Sequence, residues 1–186
     1  MKHPQTIESI EAALAPYRNL IERIDAICRT ITKEAGAAIT CHDGCDACCE
    51  AIGVLPVEAV QIARHLDPSR LPDWEKIHGI MQHSESTPTA SPCPFLHQHR
   101  CRIYPVRPLI CRTQGMAFLV EEEGEKRLVH CPRNFGGMSR FPAAMLIDLD
   151  RMNEYLIRIN DHFLQEVAAR LPERIPLAEI LRWLER

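Results

Sequence analysis

Apolar side chains recur at Ile7, Ile10, Leu14, Tyr17, Ile21, Ile24, Cys28, Ile31 and Ala35, in steps that alternate three and four. That rhythm keeps one face of a helix apolar and predicts a long helix over residues 7–35. Pro16 lies within it, so the helix is either kinked there or divided, with Pro16 in the first turn of a second piece. A matching seam of Met145, Leu149, Met152, Leu156, Ile159 and Phe163 predicts a second long helix over residues 142–171. At about 1.5 Å per residue each seam is roughly 45 Å long, so the two could pair along most of their length, or meet those of a second copy in a dimer. Pro172 and Pro176 break the run and leave a short helix at 176–184.

Between the long seams the pattern is fragmentary. Residues 55–66 and 72–81 read as short helices, and 82–91 as a polar loop. Residues 95–103 read as a small hairpin turning at Gln98-His99; residues 116–120 and 127–130 read as another, turning through 121–125. The expected fold is mainly α: a single domain in which N- and C-terminal helices (1–35 and 141–186) pack together and carry a cysteine-rich insert at 36–140. Few long apolar runs occur in that insert, so bound metal is expected to organise it.

Composition narrows the function classes. The 186 residues suit one domain, and 22 basic against 25 acidic side chains leave a net charge of −3, with no global field for nucleic acid or anionic lipid. The first residues, with Lys2, His3, Glu8 and Glu11, contain no apolar run of membrane or signal-peptide length, so a cytoplasmic protein is expected, without nucleic-acid or membrane partners. In a reducing compartment nine cysteines, an odd number, suit metal binding or thiol chemistry better than a disulfide framework.

Four of those cysteines fall within nine residues, Cys41, Cys45, Cys48 and Cys49. Cys45 and Cys48 are spaced so that one turn brings both sulfurs to one ion, and Cys41 can join them from the loop. Cys49 points elsewhere, because adjacent side chains diverge, and so serves a second position or closes the first from another side. Cys93, Cys101, Cys111 and Cys131 complete eight candidate ligands, enough for two four-sulfur sites. Cys28, on the first helical seam, is expected to pack as a small apolar residue.

The elements Cys41-x3-Cys45-x2-Cys48-Cys49, Cys93-Pro94-Phe95-Leu96, Cys101-x-Ile103-Tyr104-x2-Arg107-Pro108-x2-Cys111-Arg112 and Cys131 resemble the CxxCxxCC (YkgJ-like) cysteine-cluster family of zinc- or iron-chelating proteins. Flagellin lysine N-methylases are included in that family. The resemblance spans about residues 41–131 and implies metal binding more strongly than any reaction. For a methylase it would imply S-adenosylmethionine and a protein substrate, yet no glycine-rich signature for that cofactor is present.

Four thiolates suit zinc and an iron–sulfur cluster equally. Two cysteines followed by proline, Cys93 and Cys131, favour iron–sulfur ligation, with zinc as the alternative. The Cys41, Cys45, Cys48 spacing also equals that of radical S-adenosylmethionine enzymes, but no strand-helix alternation for their barrel is present. His42, His97, His99 and His130 lie near the cysteines and could replace a thiolate, although His42 and His130 adjoin ligands and should diverge from them. Tyr104, Arg107 and Arg112 are expected to support the site as donors that offset thiolate charge. A metal-binding protein is favoured over a metal-dependent enzyme, because no catalytic dyad or triad can be placed.

Overall fold

The computed structural model describes residues 6–69 and 92–184, so the helix expected at 72–81 and the loop at 82–91 lie outside the described residues. α1 spans Ile7–Ala35 and passes through Pro16 as one helix, the first of the two arrangements the sequence allows. Its start is set by Thr6, whose hydroxyl accepts the Ser9 N–H at 3.2 Å while the Ser9 hydroxyl accepts the Thr6 N–H at 3.0 Å. Two orphan donors of the first turn are thereby satisfied. The buried positions Ile10, Leu14, Tyr17, Ile21, Ile24 and Ile31 all belong to the anticipated seam.

β1 (Gly53–Val54) leads into α2 (Pro56–Leu66), and β2 (Leu96–His97) pairs with β3 (Arg100–Cys101) in the first expected hairpin. Its turn residues Gln98 and His99 both have positive φ, as a two-residue hairpin turn requires. α3 (Leu109–Thr113) carries Cys111. β4 (Ala117–Glu122) and β5 (Glu125–His130) form the second hairpin, tighter than expected because Glu123 and Gly124 alone make the turn.

The second long helix is shorter than its seam suggests. α4 spans Leu149–Glu166, not 142–171, because Leu146–Asp148 is drawn off as β6, which pairs in parallel with β4 through Ala117↔Leu146 and Leu119↔Asp148. Asp148 then caps α4 by accepting the Arg151 N–H at 3.0 Å. A three-residue amphipathic stretch reads alike in strand and helix, so the periodicity of 142–149 did not separate them. β7 (Ile175–Pro176) pairs with β1 and leads into α5 (Leu177–Leu184). With five α-helices and three small sheets among the described residues, the fold is mainly α.

Two cores hold these parts together. α1 packs on α4, and their seams merge with α2, β4 and β6 in the larger core, where Leu14, Tyr17, Val57, Ala117, Ile147, Met152 and Phe163 are buried. The seams are therefore covered within one chain. The smaller core joins Phe95, Ile103 and Val106 of the cysteine-rich stretch to Ile62 of α2 and to Ile175, Ile180 and Trp183, with Cys93 and Cys101 packed against it. This stretch thus has apolar burial that its short runs do not advertise, because its partners come from α2 and α5. Full burial of each large side chain contributes about 1.5–3 kcal/mol.

Candidate metal centre

The chain leaves α1 through a short helical turn and enters the loop that bears four cysteines. Tight turns fold it back, with Cys45 N–H donating to His42 O at 3.0 Å and Cys49 N–H to Asp46 O at 2.8 Å. Beyond Cys49 the backbone runs antiparallel to Pro92-Cys93: Cys93 N–H donates to Cys49 O at 3.1 Å, and Glu50 bridges to Pro92. The first hairpin sets Leu96 opposite Cys101, and Leu96 N–H donates to Cys93 O at 2.9 Å, so Cys101 returns to the vicinity of Cys93. α3 adds Cys111. Its first amide, Leu109 N–H, donates at 2.8 Å to Glu58 Oε1 of α2.

Mutual electrostatics show which thiols lie near one another. Burial, then the thiols of Cys93 and Cys101, then Glu58 and Cys49, push the Cys111 thiol up to about 12. Burial, then Cys48, Cys93 and Cys101, push Cys49 up to about 11, and burial followed by Cys101 raises Cys93. Cys48 is raised by burial, and the thiols acting on it are Cys45, Cys41 and Cys131. Cys93 and Cys101 pack against the smaller core, whereas Cys41 and Cys48 are exposed, and Cys48 acts on Cys49, so these two neighbourhoods adjoin. The raised sulfurs are protonated at neutral pH, so ligation by any of them displaces a proton. Among the described residues no three Cys, His, Asp or Glu side chains already converge on one coordination point.

Donors face the thiols of the loop. Asn134, fully buried, accepts the Thr40 N–H at 2.9 Å through Oδ1 and donates through Nδ2 to Gly115 O at 2.7 Å and to Cys41 Sγ at 3.2 Å. Arg133 Nη1 lies 3.8 Å from Cys45 Sγ. Gly115, at φ +90°, leaves space where a Cβ would stand 2.9 Å from both Cys41 Sγ and Asn134 Nδ2. Donors aimed at sulfur, a residue kept bare beside it, and a donor set of thiols alone all fit a thiophilic metal.

The other sequence-derived candidates have partners of their own. Cys28 packs against the larger core, its thiol 3.8 Å from Arg112 O, and burial followed by Asp25 holds it up at about 11. The Arg112 guanidinium is buried against Asp25 Oδ2 at 2.7 Å and donates to the carbonyls of Arg107 and Pro105, so it braces the turn before Cys111. The Arg107 guanidinium lies 3.9 Å from the ring centre of the exposed Tyr104 and donates to Tyr104 O. His130 stacks between Phe135 and Phe141, His99 pairs with Asp46 at 2.8 Å, His42 meets its neighbour Thr40 O, and His97 is exposed.

Sequence reasoning missed Asn134, Arg133, Gly115 and Glu58. No spacing rule points to them; the only signal was that Arg133-Asn134 closely follow Cys131-Pro132. Asn134→Asp keeps the side-chain volume but turns an acceptor toward Cys41 and Gly115 O. Metal retention by the loop thiols should fall about 10–100-fold, read by chelator competition, with the far-ultraviolet circular dichroism unchanged.

A mainly helical frame carrying eight cysteines between α1 and α4 defines a cysteine-cluster protein. Residues 40–132, half of the chain, match the CxxCxxCC family, described as a "putative zinc- or iron-chelating domain". The chain belongs to that family. No curated protein and no solved structure matches it. None of the described helices is long and apolar enough to cross a membrane.

Proposed function

We propose that this protein binds metal through eight thiolates in two four-sulfur sites, an outer one of Cys41, Cys45, Cys48 and Cys131 and an inner one of Cys49, Cys93, Cys101 and Cys111. The observation that carries this reading is geometric: the Cys49–Cys93 backbone contact and the hairpin bring Cys49, Cys93 and Cys101 into one vicinity, while Cys41, Cys45 and Cys48 share one loop of tight turns. The adjacent Cys48 and Cys49 contribute one sulfur to each site, as the divergence of neighbouring side chains requires. Chelation of zinc or iron is the function of the family, and the whole donor set lies within the matched residues.

For the metal itself we favour iron–sulfur clusters over zinc, on the two Cys-Pro steps at Cys93 and Cys131. Two four-sulfur sites around zinc, or around cluster cores of charge +2, each leave a net charge near −2, which the Asn134 and Arg133 donors help to offset at the outer site. Anaerobic purification followed by elemental analysis, sulfide assay and visible spectroscopy tests the reading. Two metal centres per chain are expected, coloured if iron–sulfur and colourless if zinc. Cys48→Ser and Cys111→Ser should each remove one centre, and Cys28→Ala should keep both. Equal loss from Cys28→Ala, or a metal-free protein, would refute it.

A further inference from the structure

We infer that the two sites differ in exchange: the outer thiols form an open site that takes up and gives away its metal, while the inner thiols hold theirs as part of the fold. This rests on the two-site reading above and assigns each site a role. The inner sulfurs are half-buried, and Cys93 and Cys101 pack against a core that includes Phe95, Ile103, Ile175 and Trp183. Their backbones are joined by the Cys49–Cys93 amide contact, the hairpin pair Leu96↔Cys101, and the clamp of Glu58 on α3. For one of these sulfurs to leave its metal, an element of the fold must move with it.

The outer sulfurs are placed otherwise. Three of them come from one loop of short turns, outside any strand or α-helix; Cys41 and Cys48 are exposed to solvent, while Cys45 and Cys131 are half-buried like the inner four. A competing ligand can reach the metal there without unfolding anything. Were the outer site to hold a single ion, one metal–sulfur bond would break as one to the incoming ligand forms; a cluster would have to release its bridging sulfide together with its iron. Each released thiolate then takes a proton from solvent, and the metal keeps its charge and oxidation state throughout. What anchors the loop is Asn134, through Thr40 N–H and Cys41 Sγ, with the Asp43–Arg100 ion pair at 2.9 Å and the Asp46–His99 hydrogen bond at 2.8 Å tying it to the hairpin tip. The Asp43–Arg100 pair is solvent-exposed and holds weakly, so a site built on it can open while the inner one stays closed.

The test uses the as-isolated metalloprotein. Excess EDTA is added, remaining metal is followed by elemental analysis, and samples taken over time are pulsed with iodoacetamide and mapped by mass spectrometry. Metal should leave in two phases at least tenfold apart in rate. When half has gone, alkylation at Cys41, Cys45, Cys48 and Cys131 should exceed that at the inner four cysteines at least tenfold. If the protein is isolated with only half its metal, the outer four should be the ones already alkylated at time zero. Loss in a single phase with even alkylation, or alkylation of the inner four first, overturns the inference while leaving two-site binding intact. Absence of bound metal at the outset would instead fail the two-site reading itself.

Discussion

Gly115→Ala strips the metal from the outer thiols at a small cost in fold stability. The residue sits at φ +90°, and the added Cβ would stand 2.9 Å from Cys41 Sγ and from Asn134 Nδ2. A side chain in that backbone region costs about 1–2 kcal/mol. The sulfur, at the tip of a short side chain, can swing away cheaply, whereas Nδ2 is held by Gly115 O and Oδ1 by the Thr40 amide. The strain is therefore relieved by Cys41, which then leaves its set. Outer-site affinity should fall by about 100-fold or more, the upper end of what loss of a supporting contact brings. Gly124→Ala supplies the control, since Gly124 has φ +81° with nothing within 4 Å of the added carbon. It should show the same backbone cost in urea unfolding with both metals retained. Equal metal content in the two variants would show that Cys41 does not depend on the space beside Gly115.

Glu58→Ala should destabilise the protein by about 3–5 kcal/mol, because it strands three donors at once in a site closed to water. Glu58 Oε2 accepts the Leu55 N–H at 3.0 Å, and Oε1 accepts the Leu109 N–H at 2.8 Å and the Tyr17 hydroxyl at 3.3 Å. The one carboxylate thus joins α1, the start of α2 and the start of the helix that carries Cys111. Tyr17→Phe removes one donor and leaves the carboxylate its other partners, so it should cost only about 1 kcal/mol. Burial raises the Glu58 carboxyl above its ordinary value despite these donors. The folded state therefore holds this proton more tightly than the unfolded chain does. Its contribution to stability is fully present below the unfolded carboxyl value and is lost as pH rises through the folded one. Wild-type stability measured by urea titration should carry this slope between those two values, and Glu58→Ala should lack it. An unchanged slope would show that Glu58 is not its source.

The helical frame was legible in the sequence because its signal is long. Nine apolar positions on one period define α1 almost residue by residue, and the hairpin at Gln98-His99 follows from local turn chemistry. Where an element is decided by a distant partner, that legibility ended. Leu146–Asp148 becomes a strand because Ala117–Leu119 lies alongside it, and Phe95 and Ile103 become core because they join Ile62 of α2 and Ile175, Ile180 and Trp183 in one cluster. Candidate ligands were legible for the same reason as the helices, since four cysteines in nine residues need no tertiary context. Asn134 and Glu58 were not, because an asparagine after a loop and a glutamate in a first helical turn are ordinary until their partners are known. Arg112 shows the converse: adjacency to Cys111 suggested service to the metal, and its guanidinium is instead committed to Asp25 and two carbonyls.

The pairing of α1 with α4 also sets an order of events at the ribosome. Roughly 110 residues separate the two helices, and at about 5–20 residues per second α1 waits on the order of ten seconds for α4, with α2 and α3 available to its seam before then. All eight thiols outside α1 are translated during that interval. The nascent chain therefore presents its cysteines to the cell's metal supply before the partner that completes the larger core exists. Were these thiols to take metal as they emerge, a shortage of it would be met first by a chain whose α1 face still lacks α4.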